Sequence, residues 1–513
     1  MDSESSVIKS AKSFFAGTLF SRVMGMLRDI SMAFCFGSAP EVAAFMVAYR
    51  LANLFRRLFG EGSLQGGFVP HFERLRGQGE EAAALFYRDL FYSLLTLLAA
   101  VTLFGALFCW GLARLFDSDI PLMTLAMMPG VAFLCLYALD SSVHQCWNRF
   151  FLPAVAPVVF NLVWIASALF LKGSALRTAM FSLSFCIVGA FFLQWMAVSW
   201  NVSGWLRSIL GSRRMQPRIF SQDVRALLKP LAFGLVGLGA AQINSALDAI
   251  FARLADPSGP AYLWYAIRIQ QLPLALFGIA LSGALLPALS RATGERYGEL
   301  LCSGLKKSAA LMVPCAVGMW VLSHPGLDLL YGRGGFQDSD VVQTGLCLGG
   351  YAIGLVPMVY VLLLANGFYA QKEYAWPMRC SLASVGCNLS LNALFVFGLG
   401  WGAESVAIAT SLSAFLNCAL LRRGMQSRVA GLSLWRGMLR IGVCSLAAGM
   451  AVWVFDGLIV HQRVFTSQLI RFAACGGIYG ICVLGMAVLL KETELLELLG
   501  IKKAPRKGGA LEN

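Results

Sequence analysis

Apolar stretches long enough to cross a bilayer follow one another along almost the whole chain, which leaves little else for it to become. A membrane-spanning helix takes about 20 apolar residues. That rule predicts about fourteen segments. They lie near 13–36, 41–66, 88–114, 121–146, 153–171, 179–200, 226–252, 261–290, 306–323, 343–370, 376–399, 402–421, 436–457 and 468–490. Only 13% of the 513 residues are charged and 58% are hydrophobic, whereas a soluble protein carries about 25% charged residues. A soluble enzyme is excluded, and no stretch remains for a large catalytic domain outside the membrane. The 52 glycines suit helices that approach closely in lipid. The expected fold is an all-α polytopic membrane protein.

The formal charge of +14 is read by location. Loops on the N-terminal side, with both tails, hold about 28 of the Lys and Arg residues, and the opposite loops about five. By the positive-inside rule both termini are cytoplasmic. So is the connection between the sixth and seventh segments, with Arg207, Arg213, Arg214, Arg218, Arg225 and Lys229. A basic cytoplasmic face suits anionic membrane lipids, and the charge calls for no nucleic acid. The 14 cysteines lie mostly inside apolar segments without a CxxC, and the 4 histidines are scattered. Neither a disulfide framework nor a Cys/His metal site is expected. The first apolar stretch carries Arg22, Arg28 and Asp29, so it is not a signal-peptide core.

A weak internal repeat divides the chain. Asp29 is followed by Tyr49-Arg50, Leu58-Phe59-Gly60, Pro70 and Arg74. Asp248 is followed at similar spacings by Tyr265, Arg268, Leu276-Phe277-Gly278, Pro287 and Arg291. The offset, about 218 residues, spans six apolar segments, and transporters are commonly built from two such halves. The predicted organisation is an N-terminal lobe over 1–200, a basic cytoplasmic loop over 201–225 and a C-terminal lobe over 226–425. Two further helices fall in 426–492, and a cytoplasmic tail in 493–513. Two pseudo-symmetric six-helix lobes plus two helices account for the fourteen segments.

Charges inside the first two segments are the strongest functional signal, because each charge at mid-membrane costs about 2.5 kcal/mol or more. Arg22, Arg28 and Asp29 stand in the first segment; Arg50, Arg56, Arg57 and Glu61 stand in the second; Arg268 stands in the eighth. On a helix Arg22 and Asp29 share a face, as do Arg50 and Arg57. Six arginines with few acids predict a net cationic interior. Guanidinium forks bind phosphate bidentately and stay charged, so two or three of them would match a diphosphate on an amphiphile. The alternative for Arg50, Arg56 and Arg57 is snorkelling to a membrane face. Asp29 has the alternative of being a salt-bridge partner for Arg28 or Arg22.

A second polar set comprises Asp248, Asn388, Asn392 and Thr410, with backbone carbonyls near Val406. Such oxygens suit a hard cation, and interhelical hydrogen bonding is the equal alternative. Pro273, Pro287, Pro357 and Pro377, with GLG at 237–239, are either hinges or tolerated kinks.

The stretches SRVMGMLRDISMAFCFG (21–37) and FMVAYRLANLFRRLFGEGSLQGGFVPHF (45–72) resemble the signature of the MurJ (MviN) lipid II flippases. That family belongs to the multidrug/oligosaccharidyl-lipid/polysaccharide exporter superfamily. The resemblance continues through WNRF (147–150), WYAIRIQQLPLALFGIALSGALLPALS (264–290) and GFYAQKEYAWPMR (367–379). It implies fourteen helices, two lobes around a cationic cavity, and a groove formed with the last two helices. It also implies alternating access that carries an undecaprenyl-diphosphate-linked peptidoglycan precursor from the inner to the outer leaflet of the bacterial inner membrane. The family's cavity arginines fall on Arg22, Arg28, Arg56 and Arg268, its acidic partner on Asp29, and its Glu on Glu61. The ligands of a sodium ion found in some members fall on Asp248, Asn388, Asn392, Val406 and Thr410. Ala43, Ile267 and Ala261 depart from the family's Asp, Asp and Ser, which makes the implied cavity more cationic.

The expectation is therefore a lipid II flippase and not an enzyme, with Arg22, Arg28, Asp29, Arg56, Arg57, Glu61 and Arg268 at the substrate. No cofactor is required beyond a possible sodium ion. Membrane potential is the expected driving force, because no GxxxxGK[ST] loop is present for ATP. Cell-wall synthesis proteins are the expected protein partners. The alternative is an exporter of drugs or of another lipid-linked oligosaccharide; the arginines disfavour cationic drugs. A membrane glycosyltransferase would need acids near a membrane face, where Asp328, Asp338 and Asp340 are the available ones. A structural scaffold would leave the buried arginines unexplained.

Overall fold

A computed structural model describes residues 4–59, 63–211, 216–426, 429, 435–458, 464–490 and 492–498. Nearly all of these are helical, and no strand occurs among them. Helices are the only open-ended element that satisfies its own backbone in lipid, so the apolar runs leave the chain no other local structure. Eleven helices are long and apolar enough to cross a membrane among the described residues. The other three expected segments are helical as well, over Glu4–Phe36, Pro40–Phe59 and Gln222–Ala255. The first two of these carry the charges noted above, which dilute their hydropathy.

The chain forms two compact units. The first comprises Met1–Ala261 with Gly334–Phe336. It contains α1 (Glu4–Phe36), α2 (Pro40–Phe59), α3 (Ser63–Arg76), α4 (Glu80–Leu115), α5 (Ile120–Cys146), α6 (Phe151–Phe170), α7 (Leu176–Leu210) and α8 (Gln222–Ala255). Helix α1 packs on α6, α5 on α7, and α2 on both α5 and α8. Helix α7 runs on to Leu210, well into the basic stretch after the sixth segment, and Arg213 and Arg214 lie outside the described residues.

Polar groups are placed economically in this unit. Asp140 is fully buried on α5 and accepts hydrogen bonds from Tyr87 Oη on α4 (2.5 Å) and Trp195 Nε1 on α7 (3.0 Å). A buried carboxylate left without donors would be strongly destabilising; with these it ties three helices together. Asp89 on α4 accepts from the Arg218 backbone N–H (3.1 Å) and pairs with Arg88 (2.8 Å), fastening the connection before α8 to α4.

The second unit comprises Tyr262–Arg333 and Gln337–Asn513. Helix α9 (Gly259–Pro273) passes through a π-helical turn (Leu274–Ile279) into α10 (Ala280–Arg291). Next come α11 (Gly294–Val321), α12 (Ser323–Tyr331), α13 (Asp338–Ile353), α14 (Leu355–Ala370) and α15 (Ala375–Ala393). A second π-helical turn (Leu394–Gly398) precedes α16 (Glu404–Gln426), α17 (Trp435–Gly457), α18 (Phe465–Leu489) and α19 (Thr493–Leu498). Helix α14 packs on α11 and α16, while α17 and α18 pack on each other. Proline acts differently at its several sites. Pro273 directly precedes the π-helical turn, whereas Pro377 sits in the first turn of α15, where its missing N–H is harmless.

Candidate functional site

Arg28 is buried, 7% exposed, on the face of α1 that meets α6. Its Nη2 and Nε donate to Asp29 Oδ1 (2.8 and 3.1 Å), and its Nη1 donates to Asn161 Oδ1 on α6 (3.2 Å). Successive side chains on a helix point about 100° apart, so the long arginine must curl back to reach its neighbour. The guanidinium lies 4.7 Å from the ring centroid of Trp164. That indole is boxed edge-on by Phe45, Tyr49 and Phe160 at 5.7, 4.9 and 5.5 Å. A desolvated cation–π contact contributes about 2 kcal/mol, and the ion pair offsets the cost of burying both charges. Arg28 is therefore held in a fixed aim. The Trp164 indole N–H is buried and has no acceptor among the described residues.

Arg22 shares its helical face with Asp29 in principle, but it is exposed whereas Asp29 is 2% exposed. Arg50 on α2 is half-buried and donates to the Ser245 carbonyl on α8 (3.3 Å). The side chains of Arg56 and Arg57, and all of Glu61, lie outside the described residues. The structure thus brings Arg28 and Asp29 together, and it adds Asn161 and Trp164, which the sequence reading missed. A lone amide in an apolar helix and one of 12 tryptophans gave no period or motif to find them by.

In the second unit Arg268 on α9 is half-buried, its guanidinium 4.5 Å from the Trp264 ring centroid. One turn separates the two residues, so they stack along one face. The π-helical turn begins six residues further on, and such turns recur at functional sites.

The amide and hydroxyl set also gathers in part. Asn392 Nδ2 donates to Asn388 Oδ1 (3.0 Å), Asn388 Nδ2 to Thr410 Oγ1 (3.4 Å), and Thr410 Oγ1 to the Val406 carbonyl (2.9 Å). Asn388, Asn392 and Val406 are at most 1% exposed. Asp248 stands in the first unit, 7% exposed, with Asn244 Nδ2 3.5 Å from its Oδ2. No cluster of three or more His, Cys, Asp or Glu side chains fit to hold a metal occurs among the described residues.

The acids that a glycosyltransferase would need are engaged elsewhere. Asp328 accepts from Gln468 (2.9 Å) and faces Arg471 at 3.8 Å, itself paired with Asp456 at 2.6 Å. Asp340 accepts from the Gln337 backbone N–H (2.8 Å) in a capping box that starts α13, and Asp338 opens the same helix.

A family model described as lipid II flippase MurJ matches residues 32–472. The probable lipid II flippase MurJ of Chlamydia muridarum is 34% identical over 431 residues, covering 82% of this chain and 78% of that one. The protein of the same description from Chlamydia trachomatis serovar D is 31% identical over 535 residues, covering 98% and 97%. Among solved structures, lipid II flippase MurJ in an inward closed conformation superposes with TM-score 0.76 at 23% identity, covering 93% of this chain and 99% of that one. An inward-facing multidrug resistance MATE family transporter of the MOP superfamily reaches 0.63 at 14% identity, covering 80% and 95%. These matches extend over both units: the chain belongs to the lipid II flippase MurJ family.

Proposed function

We propose that the chain moves lipid II across the bacterial inner membrane, from the inner to the outer leaflet, by alternating access. It works as a transporter and not as an enzyme. The observation that carries this reading is the buried, pre-aimed guanidinium of Arg28 over Trp164 in a family of lipid II flippases. Arg22, Arg28 and Arg56 of the first unit and Arg268 of the second are the proposed diphosphate ligands. Arg57 and Glu61 belong to the same proposed set, and Asp29 orients Arg28. The buried Trp164 indole N–H beside Arg28, without an acceptor among the described residues, is suited to a phosphate oxygen. The polyprenyl chain stays in lipid, and both termini face the cytoplasm.

The driving force is the membrane potential, worth about 2.3 kcal/mol per charge per 100 mV, which returns the unloaded cationic site to the inner side. Clamping the potential to zero in proteoliposomes should slow turnover. An unchanged rate would remove this part of the reading. For a sodium ion, Asn388, Asn392, Val406 and Thr410 supply neutral oxygens that are already close together. The carboxylate of Asp248 is the charged member of that set. Cell-wall synthesis proteins are the proposed partners.

The test of function replaces Arg28 and Arg268 singly with Ala in cells depleted of their own flippase and follows lipid II accessible on the outer leaflet. Loss of accessibility at normal expression is expected. Normal flipping by both variants would remove the proposed site.

A further inference from the structure

The turn between α5 and α6 presents Arg149 to a cavity of about 520 Å³ in the first unit, lined also by Arg76, Glu80, Trp147, Asn201 and Trp205. The turn is rigid. The Arg149 backbone N–H donates to His144 O and the Asn148 N–H to Gln145 O, both at 2.9 Å. Asn148 takes the left-handed conformation, φ 57°, that closes a helix in this way. Because the turn joins two membrane spans, Ile120–Cys146 and Phe151–Phe170, it lies where hydrocarbon gives way to head groups.

Charge in the cavity wall is unevenly compensated. Glu80 Oε1 accepts from Arg76 Nε (2.8 Å), and Glu80 Oε2 accepts from Trp205 Nε1 (3.2 Å). Arg76 is further tied to Glu73 (3.5 Å) and to the Cys146 carbonyl (3.2 Å). Glu80, the only acid lining the cavity among the described residues, is thus used up by its own wall. Arg149 is exposed and makes no ion pair among the described residues. Its guanidinium lies 5.9 Å from the Trp147 ring centroid, and Trp147 meets Trp205 edge-on at 5.5 Å.

One uncompensated guanidinium, an exposed amide on Asn201 and two indoles at interface depth match a single phosphate carried on an apolar body. We propose that this cavity binds the phosphate-bearing head group of an anionic membrane lipid. Arg149 is the phosphate ligand, and Trp147 and Trp205 flank the glycerol and the upper acyl chain. The site is independent of the proposed translocation site, and it requires no flipping.

Native mass spectrometry of the full chain, released from nanodiscs of equal phosphatidylglycerol and phosphatidylcholine, tests this. The unaltered chain should retain phosphatidylglycerol preferentially. Arg149→Ala should retain about fivefold less, the worth of one arginine near an anionic surface, and Arg149→Lys should recover part of the loss. Arg177→Ala, which breaks the ion pair to Asp119 at the opposite end of α5, should retain the full amount. Should Arg149→Ala not purify in folded form, Arg149→Gln against Arg149→Lys makes the same comparison. Equal retention by charged and uncharged variants, or equal retention of the two lipids, overturns the proposal. So does displacement of the lipid by soluble glycerol phosphate, which would make a free phosphate ester the ligand.

Discussion

Arg28 and Asp29, neighbours in sequence, form a buried ion pair on α1, with the guanidinium Nη2 2.8 Å from the carboxylate Oδ1 and side chains 8% and 3% exposed. The pair explains how an arginine persists in this helix before any substrate arrives. It also sets which substitutions are informative, because removing one partner takes the facing charge from the other.

Arg28→Ala removes the guanidinium that faces the buried Asp29 carboxylate at 2.8 Å, which should destabilise by about 3–5 kcal/mol. The double variant Arg28→Ala, Asp29→Ala should recover much of that loss, read as the thermal unfolding midpoint in detergent. Both should fail to flip lipid II. A double variant as unstable as the single one would mean that the Trp164 and Asn161 contacts, and not the ion pair, dominate.

Trp164→Phe removes a buried donor that has no acceptor among the described residues and shrinks the cation–π surface. The two stability effects oppose, so the unfolding free energy should change by no more than about 1 kcal/mol. If the indole N–H serves a phosphate oxygen, lipid II affinity should nevertheless fall about fivefold, the worth of one hydrogen bond. Unchanged affinity would assign Trp164 to packing alone.

Gly37 closes α1 in the left-handed region, φ 65°, and a Cβ there would stand 2.2 Å from the Gly335 carbonyl oxygen. The Gly335 N–H in turn donates to the Phe34 carbonyl (2.9 Å). Two backbones in contact leave no flexible side chain to yield. Gly37→Ala should therefore lose more than the about 1–2 kcal/mol of a left-handed alanine, measured by thermal unfolding. A midpoint equal to that of the unaltered chain would show that the 334–336 segment moves aside freely.

Sodium binding at the Asn388–Asn392–Thr410 set predicts stabilisation by NaCl over choline chloride at equal ionic strength. At tenfold excess over the dissociation constant a single site contributes about 1.4 kcal/mol. Asn392→Ala should abolish the difference. The same midpoint in both salts would leave the set as interhelical hydrogen bonds only.

Helix positions were legible because the apolar runs have spanning length and few other uses. The expected segment at 261–290, for instance, coincides with α9, the π-helical turn and α10. Legibility ended where partners come from elsewhere in the chain. Helical period put Arg22 and Asp29 on one face, yet Arg22 is exposed whereas Asp29 is buried against partners that the period does not show. The sequence repeat has a backbone counterpart that residue identity hides. Asn148 after α5 and Lys372 after α14 both take left-handed φ, 57° and 60°. Each is followed by an N–H that reaches back five residues, from Arg149 to His144 and from Glu373 to Phe368. The two turns lie 224 residues apart, within a few residues of the offset of the sequence repeat. Asn and Lys share no side-chain chemistry that would reveal the match; the helix closure fixes the backbone.

The central claim, that these arginines hold the diphosphate of a lipid carrier, is tested most directly by affinity. Binding of lipid II to the purified chain should be compared with binding of the same polyprenol lacking phosphate, for the unaltered protein and for Arg268→Ala. The account predicts a clear preference for the diphosphate and a loss of about tenfold on removing Arg268, as for a charge-assisted hydrogen bond of about 1.5 kcal/mol or more. Equal affinity for both lipids, with no effect of the substitution, would contradict it.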